Sequence, residues 1–102
     1  MTKQEFSLIA ASLPAKPGIY KYYDINDQII YVGKAKNIRK RVHSYFSKIS
    51  DQFKTQKLVS EIVKLEYAIV DSEQDAFLLE NTLIKQYQPK YNMMLKDDKS
   101  YP

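Results

Sequence analysis

The sequence predicts an α+β fold, a small three-stranded antiparallel sheet flanked by helices. Three observations carry that expectation. Two short runs rich in aromatic and β-branched residues, Ile19 to Tyr23 and Ile29 to Val32, flank the polar stretch Asp24 to Gln28, which reads as a β-hairpin. A third such run, Leu65 to Val70, supplies another strand. Helical periodicity follows Asn37 and Ser72.

Taken in order, the elements justify themselves locally. Leu13 to Gly18 contains Pro14 and Pro17, and the residue before a proline avoids the α region, so this lead-in is extended. Asn37 suits the N-cap of a helix with an apolar stripe of Ile38, Val42, Tyr45, Phe46 and Ile49. A second short helix is suggested by Leu58, Ile62 and Val63. Ser72 with Asp75 three residues on resembles a capping box, and Glu73 and Asp75 place negative charge where the helix dipole favours it. That helix is expected to stop at Gln88, before Pro89, and the tail from Lys90 to Pro102 reads as extended. There is no internal repeat.

The 102 residues fit one domain, and a hydrophobic fraction of 44% excludes a disordered chain. With no cysteine, neither a disulfide framework nor a thiolate metal site is possible. No apolar run approaches a membrane span and the first residues lack a signal-peptide pattern, so the expected setting is the cytoplasm, with no membrane partner. The charge is uneven. Between Lys34 and Lys57 eight cations face Asp51 alone, whereas the rest of the chain has eight cations and eleven acids. Such a block fits a polyanion partner, and equally a solvated helix face.

Side chains alternate along a strand, so an even hairpin loop would put Tyr20 on the face of Tyr31 and Gly33; a bulge or an odd loop would break that parity. A glycine there leaves bare backbone that a ligand or another segment can approach. The same pattern also fits tyrosines that only fill a core. Glu80 falls at the centre of an apolar stripe of Ala76, Phe77, Leu83, Ile84 and Tyr87, where a carboxylate needs a cation, a metal or a shifted pKa. Arg41 and Tyr45, one turn apart, share a flank of their helix; Arg41 could fork a phosphate or snorkel to solvent. His43, the only histidine, lies on the opposite flank as a surface residue. Gly33-Lys34 lacks the partners of a P-loop, Asp24 to Asp27 lacks the glycine and glutamate of a calcium loop, and Asp97 and Asp98 point apart in an extended tail.

Gly18-Ile19-Tyr20 and, after the hairpin, Tyr31-Val32-Gly33 resemble the paired tripeptides of the GIY-YIG nuclease superfamily. The blocks "YVGKAKNIRKRVHSYF", "LLENTLIKQYQPKYN" and "LKDDKSYP" are similar to one branch of it, the amino-terminal domain of the UvrC family of bacterial nucleotide excision repair. The likeness covers Leu13 to Pro102. It implies a GIY-YIG-like α+β fold and a DNA endonuclease cutting on the 3′ side of a lesion with one divalent cation, Mg²⁺ or Mn²⁺. Carried over, Glu80 would be the metal ligand, Tyr31 the general base with Tyr20 beside it, and Arg41 and Lys34 the phosphate stabilisers. Tyr45 would touch the phosphate, Asn92 would complete the pocket and Gly33 would keep the substrate approach open. Lys36, Arg39 and Lys40 would track the DNA backbone. The second tripeptide has Val32 where isoleucine is the motif residue, and Tyr45 stands where many relatives have histidine, which fits the UvrC branch.

The resemblance further implies damaged double-stranded DNA and a UvrB-type loading partner, the latter met through segments beyond this stretch. The expectation is one nuclease domain over residues 1–102, excised from a longer multidomain chain. Two alternatives stay open: a stand-alone structure-specific nuclease of the superfamily, and a nucleic-acid-binding module without catalysis.

Overall fold

The computed structural model describes residues 2–47 and 53–96. In chain order the elements are α1 (Lys3–Ala10), β1 (Gly18–Tyr23), β2 (Ile29–Ala35), α2 (Ile38–Ser47), α3 (Phe53–Glu61), β3 (Lys64–Ile69), α4 (Glu73–Tyr87) and α5 (Lys90–Lys96). The strands form one antiparallel sheet in the order β2-β1-β3. The predicted α+β class and three-stranded sheet are therefore present. Ile49, Asp97 and Asp98 lie outside the described residues.

The hairpin turn is built by Asp24. Its carboxylate accepts from the amides of Asn26 (2.9 Å) and Gln28 (3.1 Å), and its carbonyl accepts from Asp27 N–H (3.0 Å). Asp27 takes a left-handed φ of 62°, which a short polar side chain tolerates, and Lys64 pins its carboxylate at 2.7 Å. The connection has an odd number of residues, which alone would break the parity expected from the sequence. The register shift between Tyr22 and Tyr23 leaves Ile30 as one extra residue, and this bulge restores it. Tyr20 consequently pairs with Gly33, and Tyr22 with Tyr31, so all four share one face.

That face is covered by α2, whose Ile38, Val42 and Phe46 are buried together with Leu58 and Ile62 following from α3 and Tyr91 from α5. Each such side chain contributes about 1.5–3 kcal/mol on burial. Asn37 caps α2 as expected, its side-chain oxygen accepting from Lys40 N–H at 3.0 Å. The buried Ile19, Val32 and Ala76 fall outside this cluster, while α4 packs on β1 and β2; α4 therefore closes the opposite face of the sheet.

Two helices depart from expectation. α1 was not anticipated, although Thr2 and Glu5 form a reciprocal capping box; Phe6 then stacks on Phe46 with centroids 4.5 Å apart. The tail predicted as extended is helical over α5. Gln88 turns the chain at φ 43°, ending α4 where predicted, and the Pro89 carbonyl accepts from Asn92 N–H and Met93 N–H to start the next helix. Seven residues are too few for their periodicity to stand out; burial of Tyr91, whose hydroxyl donates to Glu61, holds α5 in place. No helix among the described residues is long and apolar enough to cross a membrane.

Candidate active site

The tyrosine face converges on Arg41. Tyr20 Oη and Tyr45 Oη are hydrogen-bonded at 3.0 Å, and Arg41 donates from Nε to Tyr20 Oη and from Nη2 to Tyr45 Oη, each at 3.4 Å. The guanidinium carbon also lies 5.2 Å from the Tyr45 ring centroid. The predicted Arg41/Tyr45 flank pair thus exists, held at one end by Tyr20. Tyr31 adjoins both phenols, with ring centroids 6.2 Å from Tyr20 and from Tyr45.

Burial decides the protonation of most of this cluster. It pushes the Tyr20 phenol well above its ordinary value, and the neighbouring Tyr45, Tyr22 and Tyr31 add to that against the opposing pull of Arg41. Tyr45 is raised to about 12, chiefly by burial and then by Tyr31. For Arg41 burial works downward, yet Tyr20 and Tyr45 outweigh it and hold the cation above its usual range. Tyr20 and Tyr45 are therefore neutral at pH 7 and the guanidinium is charged.

Gly33 has a specific reason to be glycine. A Cβ there would collide with the ring and hydroxyl of Tyr20, so the segment that approaches the bare backbone is Tyr20 itself. The sequence left that space open to a ligand or to another segment, and the resemblance gave it to the substrate; the structure fills it with the phenol that braces Arg41. Sequence reasoning also passed over Tyr22, which is fully buried between Tyr31 and Tyr45, its hydroxyl without a hydrogen-bond partner among the described residues.

Asn92 and α4, the helix that carries Glu80, approach the same strand from elsewhere. Asn92 of α5 clasps β2: its Oδ1 accepts from Val32 N–H and its Nδ2 donates to Val32 C=O, both at 2.8 Å. An edge strand presents such peptide groups unpaired, and the amide side chain completes this one as a neighbouring strand would. Asn92 thereby fixes the backbone between Tyr31 and Gly33. Glu80 sits one turn after the buried Ala76, on the side of α4 turned to the sheet. It is half-buried rather than enclosed in a wholly apolar stripe, because Phe77 and Tyr87, counted in that stripe, are each 50% exposed.

The basic block divides by role. Lys34 is exposed near the end of β2, Lys40 is exposed on the first turn of α2, and exposed Lys36 lies 3.4 Å from Glu73. Arg39, expected on the DNA track, is exposed and also serves as a brace: Nε donates to Leu13 C=O at 2.7 Å and Nη2 to Ala11 C=O at 3.4 Å, tying α2 to the lead-in. His43 is exposed and leans on Phe6, a surface residue as expected.

Among the described residues no three His, Cys, Asp or Glu side chains gather as a metal cluster. A single half-buried carboxylate suits a hard divalent cation that keeps most of its water or takes phosphate oxygens, as Mg²⁺ does.

A hairpin that sets Gly18-Ile19-Tyr20 against Tyr31-Val32-Gly33, with an Arg–Tyr pair from the next helix closing over it, defines a domain of the GIY-YIG type. Residues 16–93 match the family model of the UvrC-like GIY-YIG domain. The chain belongs to that family. It is 56% identical over 102 residues to UvrABC system protein C of Porphyromonas gingivalis, covering all of this chain and 17% of that protein. To UvrABC system protein C of Bacteroides thetaiotaomicron it is 58% identical over 94 residues, 92% of this chain and 15% of that protein. The chain thus spans about a sixth of these relatives. Among solved structures it resembles the GIY-YIG N-terminal endonuclease domain of UvrC from Thermotoga maritima bound to its catalytic divalent cation, magnesium. That match has a TM-score of 0.75 and 34% identity, covering 86% of this chain and 96% of that one. Point mutants of the same Thermotoga domain, each bound to the divalent cation, match with TM-scores of 0.75 to 0.76; they replace an asparagine by alanine or a tyrosine by phenylalanine.

Proposed function

We propose that this chain is a divalent-metal-dependent DNA endonuclease domain, one unit over residues 1–102 of a longer protein. Its role would be hydrolysis of a phosphodiester on the 3′ side of a lesion in nucleotide excision repair. The observation that carries the reading is Arg41 held by the Tyr20 and Tyr45 hydroxyls on the face shared with Tyr31, on a hairpin whose β2 is clasped by Asn92 and packed by α4, the helix that carries Glu80. Family membership and the magnesium-bound Thermotoga domain support it.

Each residue then has a physical task. Arg41, charged and aimed by two neutral phenols, binds the scissile phosphate and stabilises the charge that grows on it, with Tyr45 beside it. Tyr20 is the brace: its hydroxyl is engaged by Arg41 and Tyr45, and burial opposes its ionisation, which leaves Tyr31, as a phenolate whose own proton has passed to solvent, to accept the proton of the attacking water. Lys34 adds a cation near the end of β2. Asn92 positions Tyr31 through the Val32 peptide. Glu80 would hold the cation, which supplies charge neutralisation at the leaving oxygen and a lowered pKa for water. Damaged duplex DNA is the substrate, with Lys36, Arg39 and Lys40 on its backbone, so binding should weaken steeply with salt. A UvrB-type loading partner and a bacterial cytoplasmic setting complete the reading.

Glu80→Gln in the full-length protein, with its loading partner on damaged duplex DNA, is the decisive experiment. Loss of 3′ incision with DNA binding retained is expected, and unchanged incision overturns the metal-ligand role. Tyr31→Phe should likewise abolish cutting while the thermal melt stays close to wild type; full activity would refute the base assignment.

A further inference from the structure

Two hollows adjoin at the end of β2. One, of about 460 Å³, is lined by Lys34, Lys36, Glu73, Gln74 and Phe77 over the small residues Ala35 and Ala76. The other, of about 350 Å³, holds Lys40, Arg41 and Ser44. Ala35 and Lys36 belong to both, so a single trough runs from Arg41 across the strand end to the first turns of α4. Phe77 stands in it half-exposed.

The chemistry of the first hollow is that of a flat, polar-edged ring attached to a polyanion. Two alanines keep its floor shallow, and Phe77 offers an aromatic face. Gln74 can donate or accept, and Glu73 can accept from an exocyclic amine. Lys34 and Lys36 supply positive charge on the side that continues to Arg41. The Lys36–Glu73 pair is 3.4 Å apart with side chains 84% and 62% exposed, so it is weak and exchangeable for a phosphate. An apolar peptide would leave these cations unmatched, and an acidic one would have no use for the aromatic wall.

We propose that this hollow is a nucleobase subsite, in which Phe77 stacks an unpaired base of the strand whose phosphate lies at Arg41. The proposal rests on the DNA reading above but not on catalysis, so it can be tested by binding alone in EDTA. The probe is a short single-stranded oligonucleotide with one 2-aminopurine among pyrimidines; the chain has no tryptophan to obscure its emission. Wild type should quench that emission. Phe77→Ala should abolish the quench and weaken binding about 5- to 150-fold, the range of one base–aromatic stack. Phe77→Trp should bind as wild type, with its own emission quenched by an unlabelled oligonucleotide. Phe77→Leu separates stacking from mere apolar packing: it should behave as the alanine variant, and wild-type binding and quench by it would overturn the subsite. So would an unchanged quench in Phe77→Ala, or Phe77→Trp emission unmoved at saturating DNA. Normal quench in EDTA, with no incision of damaged duplex by the full-length protein and its loading partner in Mg²⁺, would sink the nuclease reading and leave the subsite standing; incision there without quench in EDTA would do the reverse.

Discussion

Gly33→Ala adds one methyl group in a place where the structure permits none. The added Cβ would meet the Tyr20 ring and hydroxyl, and Tyr20 is 1% exposed with no free direction to retreat. Forcing extra volume into such a site costs about 1–3 kcal/mol. Shifting the ring also endangers the bonds of its hydroxyl to Tyr45 and Arg41, each contributing about 1 kcal/mol. Gly33 has no positive φ, so backbone strain adds nothing, and the stiffer unfolded chain returns about 0.4–1 kcal/mol. The net loss is about 2–4 kcal/mol, a fall in Tm of roughly 10–25 °C for a domain of this size. Urea unfolding followed by circular dichroism measures it, with the slope of the transition unchanged. In a Tyr20→Leu background, where the side chain ends short of Gly33, the same substitution should cost less than about 0.5 kcal/mol. A stabilising Gly33→Ala, or an equal cost in both backgrounds, would refute the reasoning.

Three further outcomes follow from the same geometry. Tyr22→Phe removes a buried hydroxyl that has no partner among the described residues and should raise stability by about 1 kcal/mol; a lower urea midpoint would contradict this. Asn92→Ala should cost about 1–2 kcal/mol by releasing the Val32 peptide, and Asn92→Asp should cost at least as much at pH 7, where two acceptor oxygens face the Val32 carbonyl. Equal midpoints for all three proteins would dismiss the clasp. The raised phenols of Tyr20, Tyr22 and Tyr45 contribute stability that is complete below the unfolded value of about 10 and is lost as pH rises through their folded values. Tyr20, Tyr22 and Tyr45 should ionise only with unfolding, seen as phenolate absorbance at 295 nm rising together with loss of circular dichroism above pH ~10. Ionisation of all nine tyrosines with the fold intact would exclude it.

The sheet and its helices α2 and α4 were legible because their signals are local: alternation, caps at Asn37 and Ser72, and the proline after Gln88. The common face of Tyr20, Tyr31 and Gly33 was also legible, but only the coordinates reveal that the bulge at Ile30 makes the parity true. What stayed hidden depends on distant partners. Arg39 looks like its basic neighbours until Leu13 and Ala11 present carbonyls to it. Asn92 lies 60 positions from the Val32 peptide it completes, and α5 is fixed by the burial of Tyr91 rather than by its own pattern. The Thr2 and Glu5 cap of α1 was there to be read. Helical-wheel geometry overstated the enclosure of Glu80, since the sheet covers a narrower strip of α4 than the apolar residues occupy.

The bulge at Ile30 also sets an arithmetic for changing the hairpin. Tyr31 reaches the Arg41 face because an odd loop and one extra strand residue cancel. Inserting or deleting a single residue between Asp24 and Gln28, with the bulge kept, would turn Tyr31 and Gly33 to the α4 side and bring Val32 to Arg41. Length changes here are tolerable in pairs, or singly with loss of the bulge. A loop graft chosen by this even-count rule could lengthen the hairpin without turning the site inside out.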